Sequence, residues 1–542
     1  MAGPAVAVVD VRAPAPPAGP VLRPDAGSRR RPAVAVVLLL LLLAGALFLA
    51  HGSRTLNAPF GDSHDGRNAA VWATGSESLR QDGPLRSRLG TRHEHGGYAN
   101  HPPLIYVETA VAEVLGWATP ASTRAPAWLG SLVLLLLVAR LLVDRGLRPG
   151  AAGVAVVLLA TTQMFLVYGT MLDTPVTSLP FGAGLLVAWE RARRGRRVQP
   201  WCAATLSLFA VLAGWQSLAL AGIVAGWAVV RVVRRSGDRQ VDLAFAGGAL
   251  AGGVLLLGWL LWAFGGTLSP LIDQFLFRTG HFTEPVGLDG AVAAMVRDGM
   301  AMIGVLGIVA LVGAALALRD RRTRGVMALA LAVTIPYPLI FKAGVVNHDY
   351  WDYWLLLPFA FGVGVIADAL LGHWETRSGW TAGLLLSVAG LGAGLTMSSW
   401  AVPGVPEQRK LSGFAVTEAT RAPQLGPGQV TSWYAGTVGS PAPWLALATG
   451  RAAVAVRGGE MDVLPRSRPT DIVLVGDARC RNGRNERTYE FRPASSLVDQ
   501  PPVIESCWPL DSPQAVAGPG RRETRSAGAR SSGAVGRSTY PA

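Results

Sequence analysis

The sequence is poor in charge, in cysteine and in lysine, and each scarcity excludes something. Charged residues make up 15% of the 542 positions and hydrophobic residues half, which is too apolar for an ordinary soluble enzyme. Three cysteines exclude a disulfide-stapled scaffold. Lysine occurs only at Lys342 and Lys410, so the net charge of +14 is carried by arginine. No glycine-rich phosphate loop stands between a strand and a helix, which disfavours a nucleotide-bound substrate. Nor does the chain show the internal repeat that many transporters carry.

Long apolar runs are what the chain has instead. Residues 33–50 and 299–318 are long enough, or nearly so, to cross a hydrocarbon core of ~30 Å. Mean hydropathy is +0.35. The runs are continuous rather than alternating, which selects helices over a membrane β-barrel. Arginines cluster at 29–31, 191–197, 231–235 and 319–324, in short turns between runs. That is the positive-inside pattern of a membrane protein and not a nucleic-acid surface. Heavy alanine, glycine and arginine usage suggests a high-GC bacterial genome, and with the apolar runs a bacterial plasma membrane.

The arginine clusters set a topology with the N-terminus in the cytoplasm. Spans are expected near 33–51, 126–143, 151–170 and 174–190, with two more within 200–233. Further spans are expected near 242–264, 299–318, 325–342, 353–371 and 380–400, about eleven in all. The moderately apolar stretch 104–118 is read as a helix lying at the outer interface. The expected fold is thus a polytopic α-helical membrane protein with interfacial helices in the first outer loop and a small extracytoplasmic α/β domain at its C-terminus. Its parts are a disordered lead (1–32), a membrane domain (33–400), the α/β domain (401–510) and a disordered tail (511–542). An uncleaved first span is favoured over a signal peptide, because no small-residue cleavage site follows Ala50. In the α/β domain, 429–434, 452–456 and 471–475 read as strands and 444–449 as a helix. Cys480 and Cys507 both fall there, where a disulfide is permitted.

This topology gathers the unusual polar residues on one membrane face, where isolated charge is costly unless it functions. They are Asp62, His64, Asp65 and Arg67 in the first outer loop, with His93, Glu94, His95 and His101 after them. Asp173 stands between two spans, Arg278 and His281 lie in the 265–298 loop, and Lys342 and His348 precede a later span. Each has a plainer reading. Asp65 can pair with Arg67 to shape the loop, His101 can simply start a helix, and Asp173 can cap one whose first turn holds Pro175. Lys342 can be a snorkelling anchor, and the tract 350–354 an aromatic belt. His93-Glu94-His95 lacks the spacing for a metal pair on one helix face. No metal site is assigned, and a divalent cation is left open as a cofactor.

The order of His64-Asp65-Gly66-Arg67, His101-Pro102-Pro103-Leu104 and Asp173-Thr174-Pro175 around the apolar spans resembles the GT-C membrane glycosyltransferases. Within them it is similar to the protein O-mannosyltransferase and lipid A aminoarabinose transferase superfamily, over residues 30–400. The resemblance implies an inverting transfer of a sugar from a polyprenyl-phosphate carrier to an acceptor hydroxyl on the extracytoplasmic face. The acceptor is a glycan, lipid or protein. The family's first outer loop has an Asp-Glu-X-Arg pattern; here His64 stands in the first acidic place and Asp65 in the second. Asp65 is therefore the expected general base, with Asp62 as its substitute. His64, Arg67, His101, Asp173, Arg278, His281, Lys342 and His348 are the expected substrate-binding groups; Arg67, His101, Arg278, His281 and Lys342 are expected on the phosphate side, and Asp173 is expected to hold a metal, orient the loop or touch the acceptor. A transporter or flippase for a lipid-linked or anionic substrate is the competing class. A catalytically inactive scaffold whose external domain binds partners is the third.

Overall fold

A computed structural model of the chain describes residues 26–57, 60, 64–91, 99–116, 118–281, 287–372 and 390, with four strands nearer the C-terminus. At residues 64–67 and in the strands the backbone alone is described. The expected span at 380–400, the lead before residue 26, the helix at 444–449, Asp62, His93-Glu94-His95, Cys507 and the tail lie outside the described residues.

The helices run α1 (Ala26–Leu56), α2 (His64–Arg86), α3 (Leu104–Gly116), α4 (Pro120–Thr123), α5 (Ala125–Asp144), α6 (Pro149–Thr161), α7 (Gln163–Tyr168), α8 (Thr174–Arg193) and α9 (Pro200–Ala213). There follow α10 (Trp215–Val233), α11 (Arg239–Ala263), α12 (Ser269–Thr279), α13 (Leu288–Met302), α14 (Leu306–Arg319), α15 (Arg324–Thr334), α16 (Pro336–Ile340) and α17 (Lys342–Asn347). Last comes α18 (Tyr350–Gly372), whose first turns are a 3-10 helix.

Among the described residues, four helices are long and apolar enough to cross a membrane, namely α5, α10, α11 and α18, and α13 with α14 makes a fifth if that bent pair is one span. Shorter apolar helices cover much of the remaining expected spans, at Val37–Ser53, Pro149–Thr161, Pro200–Ala213 and Arg324–Ile340. The chain is a membrane protein, and its exposed surface shows why. Leu250 (70% exposed), Val254 (63%) and Leu311 (72%) stand on the outside of their helices, as aliphatic side chains do against lipid tails.

Helices α6 and α8 form the centre. From Ala151 to Thr161 every residue of α6 is buried, and α8 is buried along nearly its whole length. A helix apolar all round is stable only when surrounded. Helix α6 packs on α1, α5 packs on α8, and α9 packs on α11. The α9–α11 contact depends on Gly248 and Gly252: a methyl group at either would land on Ala204 or Val211 of α9. Small residues four apart permit such close backbone approach between membrane helices.

One stretch differs from the expectation. The 265–298 loop holds two helices, α12 and α13, and the expected 299–318 span begins inside α13. The chain bends by 113° between α13 and α14, where Gly304 takes a left-handed φ of 65°. A hydropathy window does not register such a break, because its flanks are equally apolar. The aromatic tract also differs. Tyr350, Trp351, Tyr353 and Trp354 are buried inside the bundle rather than lining an interface, with Trp354 Nε1 donating to the Pro175 carbonyl at 3.1 Å.

Between α1 and α5, helix α3 lies on α2. Its anchor is Glu113, 4% exposed, which accepts from Ser76 (2.8 Å), Arg80 (3.0 Å) and Thr123 (2.8 Å). The strands are β1 (Val430–Tyr434), β2 (Ala453–Arg457), β3 (Ile472–Arg481) and β4 (Arg484–Pro493), in the order β2-β1-β3-β4. β1 is parallel to both β2 and β3, and β3 is antiparallel to β4.

Candidate active site

The site grows from the start of α8. Thr174-Pro175 cannot satisfy the first N–H of the helix internally, and Asp173 supplies the acceptor: its Oδ1 takes the Thr174 N–H at 2.6 Å. Its other oxygen, Oδ2, accepts from Asn68 Nδ2 at 2.8 Å. The same amide reaches the Tyr350 hydroxyl at 3.1 Å. One carboxylate thus joins α2, α8 and α18. Burial pushes Asp173 up to about 6, against the pull of the Thr174 N–H, Asn68 and the Arg278 guanidinium.

His101 enters from the segment before α3. Trp215 Nε1 at the head of α10 holds this segment by donating to the Asn100 carbonyl at 2.9 Å. His101 Nδ1 lies 3.0 Å from Thr174 Oγ1, and its ring meets the edge of Trp72 at 5.9 Å. The residue is half-buried. Burial first, and the Arg278 charge second, push it down to about 3. His101 is therefore neutral near neutral pH and contributes a hydrogen bond rather than a charge.

Arg278 stands on the last turn of α12, with its guanidinium 5.1 Å from the centre of the Trp351 ring. It makes no ion pair with a described residue, while its field reaches both His101 and Asp173. His348 stacks on the same Trp351 ring, 5.9 Å away at 27°, with Tyr350 5.3 Å away. Tyr168 lies 5.8 Å from Tyr350.

Of the residues named from the sequence, His101, Asp173, Arg278 and His348 thus fall around one region. His64, Asp65 and Arg67 form the first turn of α2, just before Asn68, as backbone. His281 is exposed, just past the left-handed Gly280 that ends α12. Lys342 is half-buried at the start of α17, beside α12, and no contact among the described residues links it to Asp173. Asn68, Thr174, Tyr350 and Trp351 were not named as site residues. Among the described residues no group of three or more His, Cys, Asp or Glu is arranged to hold a metal ion.

The cluster offers a buried carboxylate, a neutral imidazole, a guanidinium without a described counter-ion and a wall of aromatic rings. Such a set can bind an anion at Arg278 while keeping polar groups fixed around it.

No protein-family model matches the sequence, and no curated protein matches it. Solved structures do match. ArnT from Cupriavidus metallidurans in the apo state aligns over 86% of this chain and 99% of its own, with 14% identity and a TM-score of 0.55. ArnT from the same organism bound to undecaprenyl phosphate aligns over 86% and 98%, with 12% identity and a TM-score of 0.53. The archaeal oligosaccharyltransferase AglB from Archaeoglobus fulgidus, in complex with an inhibitory peptide and a dolichol-phosphate, aligns over 79% of this chain with 12% identity and a TM-score of 0.53. This chain spans 64% of that AglB chain. At these identities the likeness is one of fold, shared with ArnT and AglB.

Proposed function

We propose that the protein is an inverting glycosyltransferase that moves a sugar from a polyprenyl-phosphate carrier to an acceptor hydroxyl on the extracytoplasmic face of a bacterial plasma membrane. The fold neighbours include one bound to undecaprenyl phosphate and one to dolichol-phosphate, which supports a lipid-linked donor. The acceptor is a glycan, a lipid or a protein. The observation that carries the proposal is the Asn68–Asp173 hydrogen bond with Arg278 close by. It supports a site in which the first turn of α2, with Asp65 and Arg67, works beside Arg278, which makes no ion pair with a described residue.

In this mechanism the acceptor oxygen attacks the anomeric carbon as Asp65 takes its proton, Asp62 being the alternative base. The bond from that carbon to the phosphate oxygen breaks, and the polyprenyl phosphate leaves with the bonding pair. A single displacement inverts the anomeric centre, as in the base-assisted arm of inverting glycosidases. Arg278 and Arg67 offer planar forks to the leaving phosphate. Neutral His101 hydrogen-bonds at the same face, Asp173 positions α2 through Asn68, and His348 with Trp351 supports Arg278. His281 and Lys342 are assigned to the outer approach of the lipid phosphate. No step is routed through a metal ion.

The test is transfer of label from radiolabelled polyprenyl-phosphate sugars by the purified full chain in nanodiscs. Transfer in the wild type and its loss in Asp65→Asn supports the proposal. Transfer that survives Asp65→Asn but not Asp62→Asn moves the base. No transfer from any carrier, with movement of label across the bilayer when the chain is placed in sealed proteoliposomes, would establish a transporter instead.

A further inference from the structure

The far end of α8 carries a second feature, ~30 Å along a 20-residue helix from Asp173. A cavity of about 640 Å³ runs between α3, α5, α8 and α9, from Thr177 down to Arg191. Its walls are mostly apolar, with Glu108 of α3 among them. Leu129 (48% exposed), Val133 (46%) and Trp201 (70%) are open to the outside of the bundle. Along α8 the groove covers a rise of ~21 Å, more than the ~15 Å depth of one leaflet's hydrocarbon. It can therefore take the length of an acyl chain.

At Arg197 and Val198 this groove meets a cleft of about 490 Å³. The cleft is lined by Arg193, Arg196, Arg197 and Arg231, with Asp238 as the acid among its lining residues. Asp238 is spent on the N-terminus of α11, where it accepts from Gln240 N and Val241 N at 3.0 and 3.3 Å. The neighbouring acids are over-subscribed. Asp144 accepts from Arg140, Arg191 and Arg196, and Glu190 from Arg145 and Arg193, while the buried Asp242 pairs with Arg231 at 3.2 Å. Arg197 is exposed and makes no ion pair with a described residue. Positive charge thus exceeds negative in a concave site that opens directly into an apolar groove.

We infer that this juxtaposition is a binding site for an anionic phospholipid, with an acyl chain in the α5–α8–α9 groove and the phosphate in the arginine cleft. Charge complementarity selects the headgroup, and the shared Arg197–Val198 corner joins it to the chain. The positive-inside rule makes the lipid one of the cytoplasmic leaflet. The site is separate from the proposed transfer chemistry and does not depend on it.

Native mass spectrometry of the delipidated full chain, titrated with phosphatidylglycerol or phosphatidylcholine of equal chain length, tests this. Phosphatidylglycerol should be retained about fivefold more strongly, or better. Arg193→Gln combined with Arg197→Gln should bring it to the phosphatidylcholine level, while Arg197→Lys should keep most of the preference. Val133→Trp, on the exposed groove wall, should weaken both lipids. Unchanged melting of each variant will show that the fold is kept. Equal retention of the two headgroups, or an undiminished preference in the double glutamine variant, overturns the inference. So does displacement of phosphatidylglycerol by polyprenyl phosphate that is blocked by Val133→Trp and indifferent to the arginines, since the groove would then serve a prenyl tail entering from the Thr177 end.

Discussion

Asn68 and Asp173 are 105 positions apart in sequence and share a 2.8 Å hydrogen bond. Through it, the segment that follows the first helix is fixed to the N-cap of the helix at the centre of the bundle. The amide also holds Tyr350, so its loss would free α2 from both neighbours at once.

Asn68→Ala is therefore expected to lower kcat for label transfer by about 10- to 100-fold, the worth of one hydrogen bond to a buried carboxylate. Donor KM should change little, since Asn68 positions the first turn of α2 rather than the phosphate. Steady-state kinetics on nanodisc-embedded protein separate the two constants.

Arg278→Ala should act on the other constant. On the proposed mechanism, removing the guanidinium leaves the donor phosphate with Arg67 alone and should weaken kcat/KM by ~100-fold, the scale of a charged hydrogen bond. Arg278→Lys keeps the charge but loses the fork and the flat face over Trp351, so it should recover only part of the loss. Competition by free polyprenyl phosphate reads the binding directly.

Two titrations at the site oppose each other. Asp173 is raised to about 6 from an ordinary 3.8, so the native state holds its proton longer than the unfolded chain does. Its contribution to stability is fullest below 3.8 and is lost as pH rises towards 6. His101 is lowered to about 3 from 6.5. Its contribution is fullest above 6.5 and is lost as pH falls towards 3. Between pH 4 and 6 these two contributions therefore nearly cancel. Relative to the wild type, the melting temperature of Asp173→Asn should fall on acidification and that of His101→Gln should rise, as thermal melts in detergent across this range will show.

Glu113→Ala should loosen α3 from α2. It removes a carboxylate that satisfies Ser76, Arg80 and Thr123, at a cost of about 2–3 kcal/mol. A lower melting temperature and faster proteolysis between α2 and α5 are the readouts. Glu113→Gln should retain part of the stability, since its amide oxygen still accepts from the serine.

Much of the scaffold is legible in the sequence, because lipid exposure writes itself as long apolar runs and topology as arginine clusters. Helices α5, α10, α11 and α18 follow from those two signals. The α13–α14 bend does not, since Gly304 interrupts a run without lowering its hydropathy. Strand β4 was missed because Arg484 to Pro493 is mostly polar, although Asn482-Gly483 before it is a strong hairpin signal. At the site, His101, Asp173, Arg278 and His348 stand out as rare charge or imidazole in an apolar chain. Asn68 and Tyr350 carry no such mark. An amide and a phenol become informative only when the fold shows what they touch, and the burial of the 350–354 aromatics depends on neighbours far away in sequence.

The seam between α9 and α11 has a bearing on how the protein will behave outside its native bilayer. Its cohesion comes from dispersion between atoms at the backbone of Gly248 and Gly252 and those of the facing helix, an attraction that needs no water to drive it. Solubilisation replaces the lipids around Leu250, Val254 and Leu311 with detergent tails of similar polarity. It leaves that inner seam untouched, so mild detergents should preserve the bundle while one bulky residue at Gly248 would prise it open in any medium.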